Sequence, residues 1–186
     1  MAQPMPDAKT MARKAAFARR KTAHATGLDG PARTHLSKAL ARFAGRTLGG
    51  YMPIRTEIDP RPVMSAWDGP VCVPVVLGKG KPLAFHRWSP ETEMIPGAFG
   101  AAVPVDAIPL APEILIVPLL AFTLRGDRLG YGGGFYDRTL ERARADRPVT
   151  AIGFAYSAQQ ADMFPRDSTD QPLDAVVTEN GIRWFG

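Results

Sequence analysis

The apolar positions of this chain change period along its length. In residues 8–26 and 31–44 they are spaced as on helices. The first stretch is rich in Ala, Lys, Arg and Met and stops at Gly27; the second opens at Asp29 and Pro31, carries Leu36, Leu40 and Phe43 on one stripe and ends at Gly45. From residue 47 onward the apolar residues form short runs instead. Residues 47–52, 71–77, 83–88, 114–120, 150–154 and 175–178 read as strands, with 182–185 as an edge partner. Runs that are apolar throughout suit strands buried on both faces, so the sheet is expected to be mostly parallel. Residues 60–67 and 135 to about 145 read as helices between strands. Residues 89–112 hold Pro90, Pro96, Pro104, Pro109 and Pro112 without any period, which predicts a long surface loop. Strands alternating with helices predict an α/β layered fold.

Composition narrows this picture. At 186 residues the chain suits one domain with a sizeable core. No apolar run approaches the roughly 20 residues of a bilayer span, and residues 1–21 are basic without the apolar stretch of a secretory signal. The single cysteine, Cys72, sits in an apolar run and reads as a buried strand thiol, which points to the cytoplasm. Charge is unevenly spread. Residues 1–50 hold ten Lys or Arg and two acids, a net of +8, whereas the rest of the chain is net −3. A basic first segment suits a polyanion, either nucleic acid or nucleotide phosphate, and equally suits a solvated helix face. Lys9 and Arg13 lie four apart on one face of the first helix, and Arg20 lies seven further on.

Candidate chemistry concentrates in residues 114–140. An apolar run is followed by Gly126, Gly130, Gly132, Gly133 and Gly134, and then by a helix start at Phe135. A glycine loop at a helix N-terminus aims backbone N–H groups at one point, as an anion cradle does. No lysine follows these glycines as a Walker loop requires, and the third glycine of a dinucleotide fingerprint is replaced by Phe135 or Asp137, depending on the register. A bare glycine cluster is more often a plain loop. Arg128 strengthens the phosphate reading. Asp137 either complements the helix dipole or holds a metal beside phosphates. Tyr131, Phe135 and Tyr136 offer flat surfaces for a ring or belong to the core.

The run Arg128-Leu-Gly-Tyr-Gly-Gly-Gly-Phe-Tyr-Asp137 resembles the signature of the 5-formyltetrahydrofolate cyclo-ligases, with Pro118, Phe122 and Gly126 in the preceding positions of that pattern. Further matches follow in order: Lys9 and Arg13; Tyr51-Met52-Pro53 with Glu57-Ile58; Pro165 with Asp170; and Leu173 to Glu179. The resemblance implies a three-layer α/β/α sandwich, with the basic helices of residues 8–45 packed on the α/β core. It implies ATP-dependent closure of 5-formyltetrahydrofolate to 5,10-methenyltetrahydrofolate, with release of ADP and phosphate. It implies no protein nucleophile, only positioning and electrostatics.

Residue by residue, the resemblance places Lys9, Arg13 and the segment Arg128, Leu129, Gly130, Tyr131, Gly132, Gly133, Gly134, Phe135 and Tyr136 at ATP. It places Met52, Glu57, Phe99 and Tyr131 at the folate, and Asp137 and Asp170 at Mg²⁺. Expected partners are ATP and 5-formyltetrahydrofolate, with no nucleic acid and no membrane, and the chain is expected to be a monomer. Arg19, Arg20, Lys21, Arg33 and Arg42 are expected to be solvated surface. Two departures from the family pattern stand out. Phe135 replaces a tyrosine, and Val103 replaces a polar residue expected near the folate pocket. The second departure motivates an alternative, a paralogue that binds nucleotide without acting on this folate.

Overall fold

The computed structural model describes residues 7–186; the first six residues of the basic N-terminal stretch lie outside it. Helix α1 (Ala8–His24) is capped by Asp7, whose side chain accepts the Thr10 N–H, and α2 (Asp29–Leu40) follows after a turn at Gly27. The sheet-forming strands are β1 (Leu48–Gly49), β2 (Val71–Val75), β3 (Ala84–Arg87), β6 (Ile114–Pro118), β9 (Thr150–Phe154), β10 (Ala175–Thr178) and β11 (Gly181–Trp184). Helices α3 (Arg61–Ser65) and α4 (Phe135–Asp146) lie between them in sequence. The first strand is shorter than the 47–52 expected, because the chain leaves the sheet at Gly50 to line a cleft.

The seven strands are ordered β11-β10-β9-β6-β1-β2-β3. The five inner strands are parallel, and β3 and β11 close the two edges antiparallel. In chain order the parallel strands run 2-1-3-4-5, the doubly-wound order whose direction of progression reverses between β1 and β6. Alternation along β6 shows how the layers form. Ile114 and Ile116 join the core beneath α2 and α3, whereas Leu115 and Val117 join the core beneath α4. The result is a three-layer α/β/α sandwich, as the sequence led us to expect.

Two segments depart from the expectation. Residues 89–112 are not structureless. They fold a hairpin of β4 (Met94–Pro96) and β5 (Ala102–Pro104), with Ile95 opposite Val103. A second hairpin, β7 (Ala121–Phe122) and β8 (Arg128–Leu129), separates β6 from the glycine loop. Gly126 belongs to the turn of this hairpin, at φ +86 and packed against Leu173 and Phe185, so it takes no part in the cradle.

Candidate active site

The cleft opens where β1 and β6 diverge at their C-terminal ends, the place where a doubly-wound sheet leaves room for a ligand. Its volume is about 540 Å³, within the range of small-molecule sites. Every residue assigned above to a nucleotide, folate or metal role lines this one cleft. Residues separated by up to 161 positions in sequence thus meet in one place.

One stripe of α1 forms a wall. Lys9, Arg13 and Arg20 follow the helical spacing, and fully buried Ala16 on the same stripe lets the helix lie close against Leu120, Ala121 and Leu129. Lys9 Nζ lies 2.6 Å from Asp167 and 3.2 Å from Asp170. Burial works against its charge, but the hydrogen bonds to these two aspartates outweigh that and raise its pKa. Arg13 Nε donates to the Gly130 carbonyl at 3.2 Å. The Arg13 guanidinium also lies 3.0 Å from where a Cβ on Gly132 would sit, and Gly132 has φ +100, so a side chain there would be both strained and crowded.

The glycine loop, residues 130–134, runs from β8 into α4. Arg128, 8% exposed, donates to Asp137 Oδ1 at 2.5 Å, and the Gln171 N–H reaches the same oxygen at 3.0 Å. Asp137 is therefore neither a free carboxylate nor the helix cap; Gly134 occupies the N-cap position. Asp170 likewise uses one oxygen, Oδ2, for Lys9 and the Asp167 N–H. Among the described residues, Asp137 Oδ2 and Asp170 Oδ1 receive no protein hydrogen bond. Two aspartates in one cleft, each with an oxygen to spare, fit a hard cation that takes its remaining ligands from phosphate and water. No cluster of three or more potential metal ligands occurs among the described residues.

The opposite wall follows β1. Met52 is buried, and Glu57 is 6% exposed. Glu57 Oε2 accepts the Ile54 N–H at 2.9 Å and Oε1 accepts the Tyr131 hydroxyl at 3.1 Å. Burial raises the Glu57 carboxyl above its ordinary pKa, opposed by the Ile54 N–H and by Arg20. Burial also pushes the Tyr131 hydroxyl up to about 12, so it stays a neutral donor. Phe99 stands at the rim, 69% exposed, with its ring 5.8 Å from that of Phe135. Its φ of +58 is unusual for a bulky residue, a strain of the kind that gathers at ligand sites.

Two expectations are corrected here. Arg20 is not solvated surface: it is 1% exposed and bonded to this cleft's residues. The seven-residue spacing from Arg13 was the available signal, but only three-dimensional partners make burial of a charge tolerable. Val103 is absent from the cleft lining; it packs in the β4–β5 hairpin beside Gly97. Val103, which motivated the paralogue reading, therefore lies outside the cleft lining, whereas Ala101 in the same segment lines it.

A family model described as the 5-formyltetrahydrofolate cyclo-ligase family matches residues 11–179. The 5-formyltetrahydrofolate cyclo-ligase of Escherichia coli (strain K12) is 32% identical over 148 residues, covering 73% of this chain and 79% of that protein. The protein of the same name from Haemophilus influenzae is 41% identical over 100 residues, covering 51% and 53%. Among solved structures, the 5,10-methenyltetrahydrofolate synthetase of Aquifex aeolicus aligns with a TM-score of 0.77 at 28% identity, over 96% of this chain and 93% of that one. The Mycoplasma pneumoniae synthetase, 22% identical, shares the fold with a TM-score of 0.72, over 92% and 98% of the two chains.

Proposed function

The chain belongs to the 5-formyltetrahydrofolate cyclo-ligase family, and on that premise we propose how its cleft carries out the reaction. The enzyme closes 5-formyltetrahydrofolate to 5,10-methenyltetrahydrofolate at the expense of ATP, releasing ADP and phosphate. The observation that carries this reading is the side-by-side placement of two chemistries in one cleft. A glycine loop flanked by Lys9, Arg13 and Arg128 suits a triphosphate, and the buried acceptor Glu57 faces it across Tyr131.

The formyl oxygen attacks the γ-phosphorus, and ADP leaves with the bonding pair. N10 then attacks the activated formyl carbon, its proton passes to phosphate or water, and the ring closes as the C–O bond breaks and phosphate leaves with the bonding pair. The protein supplies no nucleophile. It holds the two substrates in line and compensates the phosphate charge. Arg13 and Lys9 approach the triphosphate from α1, and the N–H groups of residues 130–134 approach it from the loop. Glu57 accepts N–H groups of the pteridine ring, with Met52 and Phe99 against its faces. Asp137 and Asp170 would hold Mg²⁺ through their spare oxygens, and the ion would neutralise the β- and γ-phosphates.

No helix among the described residues is long and apolar enough to cross a membrane. The free Cys72 thiol is buried, and burial pushes it up to about 12. The inward-facing stripe of α1 accounts for part of the N-terminal charge without invoking nucleic acid.

Incubating the purified chain with Mg-ATP and 5-formyltetrahydrofolate is expected to yield the methenyl product, read by its absorbance, with one ADP per product. Absence of ATP-dependent product at saturating substrate would refute the assignment. Glu57→Gln tests the folate wall. An amide offers one acceptor where the carboxylate offered two, so the KM for the folate is expected to rise about 10–100-fold. The KM for ATP should stay within about twofold. An equal rise in both constants would show that Glu57 does not distinguish the two substrates.

A further inference from the structure

Arg20 is the most buried charged side chain in the protein, 1% exposed, and it is not among the residues lining the cleft. Its guanidinium nevertheless touches the segments that build the cleft. Nε donates to Thr56 Oγ1 at 3.0 Å, in the loop after β1. Nη1 donates to the Leu119 carbonyl at 3.2 Å, just past the end of β6. Nη2 donates to the Tyr131 hydroxyl at 2.5 Å, in the glycine loop, and Nη1 stands 3.8 Å from Glu57 Oε1. The guanidinium carbon also lies 5.3 Å from the centre of the Tyr131 ring. One charge on α1 thus joins both strands of the switch point and the loop.

Hydrogen-bond polarity gives this hub a consequence. A guanidinium can only donate. The Tyr131 oxygen therefore acts as acceptor toward Arg20, and its single hydrogen is directed to Glu57 Oε1. Glu57 receives that hydrogen on one oxygen and the Ile54 N–H on the other, which leaves one lone-pair direction on each oxygen for a ligand. This holds only while the carboxylate is ionised. A protonated Glu57 would turn one of those acceptors into a donor.

The charged and titratable groups around Glu57 can be counted element by element. Arg20 faces it from α1, Tyr131 from the glycine loop, Tyr51 from the end of β1 and Tyr136 from α4; Arg55 and Asp59 belong to its own loop. Arg55 is exposed to solvent, so Arg20 is the one buried cation in this set. Burial drives Glu57 toward its neutral form, and Arg20 opposes it.

We propose that Arg20 is a positioning residue of the reaction: it orders Tyr131 and Glu57 into the one arrangement that keeps Glu57 an ionised, doubly available acceptor for the pteridine N–H groups. The inference rests on the reading that Glu57 faces the folate. Arg20 touches neither substrate and acts only through these two side chains.

The test compares Arg20→Met, of similar length and without charge, with Arg20→Lys. Steady-state constants are measured for both substrates over a range of pH, and circular dichroism checks the fold. In Arg20→Met the KM for 5-formyltetrahydrofolate rises at least about tenfold, while the KM for ATP stays within about twofold. The acid limb of kcat/KM for the folate moves to higher pH, because Glu57 loses the cation that favoured its ionised form. Arg20→Lys keeps the charge without the planar fork, so it returns the acid limb toward its original place and recovers only part of the KM.

A purely structural arginine predicts otherwise. Both KM values would rise together, or the acid limb would stay in place in Arg20→Met, and either result overturns the proposal. Should Arg20→Met not fold, Arg20→Lys decides alone: a folate KM equal to that of the wild type, or an ATP KM raised as much as the folate KM, overturns it. Wild type assayed alongside separates two kinds of failure. No turnover by the wild type overturns the functional reading and this inference with it. Normal wild-type turnover beside an Arg20→Met enzyme with unchanged constants overturns this inference alone.

Discussion

Replacing Asp137 with asparagine is expected to lower kcat/KM by about 10²-fold or more and to weaken the dependence on Mg²⁺. Asparagine keeps the shape of the side chain and a carbonyl oxygen in place of Oδ1. The Arg128 and Gln171 donors therefore retain a partner, and the start of α4 keeps its geometry. What disappears is the negative charge, and with it the spare anionic oxygen proposed to meet the cation. Arg128 also loses its counter-charge. The Arg128 side chain is 4% exposed and that of Asp137 19%, so the pair is sheltered enough for the loss to register. A cost of about 1–3 kcal/mol in stability accompanies the kinetic effect. The two effects separate experimentally. Turnover is titrated with Mg²⁺ at a temperature where the variant is fully folded, as checked by its melting curve. Near-normal turnover at low Mg²⁺ would remove Asp137 from the metal site. A large stability loss with unchanged kinetics would reduce it to a structural partner of Arg128.

The second large effect concerns the strand that supports the cleft. Ile116→Ala is expected to destabilise the fold by about 2–5 kcal/mol. Ile116 is fully buried in the middle of β6 and pairs in register with Ile152 of β9. Its side chain belongs to the core cluster beneath α2 and α3, which draws residues from strands on both sides of the sheet's reversal point. Truncation removes three carbons whose space the flanking strands cannot close without shifting. For a chain of this size each kcal/mol corresponds to about 2–4 °C in Tm, so the transition falls by about 4–20 °C. Met163→Ala is the matched control. Met163 is 77% exposed, and its truncation is expected to change stability by no more than about 0.5 kcal/mol. A loss in Ile116→Ala as small as that control would mean that β6 is not the central strand.

Much of this architecture was already legible in the order of residues. The period of the apolar positions marked α1 and α2, and the unalternating runs marked β6, β9 and β10 and their parallel pairing. Such features depend on neighbours a few positions apart, which the chain states directly. The spacing of Lys9 and Arg13 and the segment from Arg128 to Asp137 also carried the family resemblance, and these residues do gather in one cleft. Other features were invisible for a physical reason. The hairpins at 94–104 and 121–129 rest on strands of two or three residues, too short to show a period. The reversal between β1 and β6, which opens the cleft, is a matter of strand order, and no local signal records that order. Arg20 is the sharpest case. As one basic residue among ten in the first fifty it looked like solvated surface. Its hydrogen-bond partners lie 36, 99 and 111 positions away. Burying a charge is tolerable only when such partners converge. Sequence alone determined the main helices and the inner strands of the sheet, and it named the residues that meet in the cleft. Tertiary structure alone decided which of the charges would be desolvated and paired, because that depends on distances between segments the chain keeps far apart.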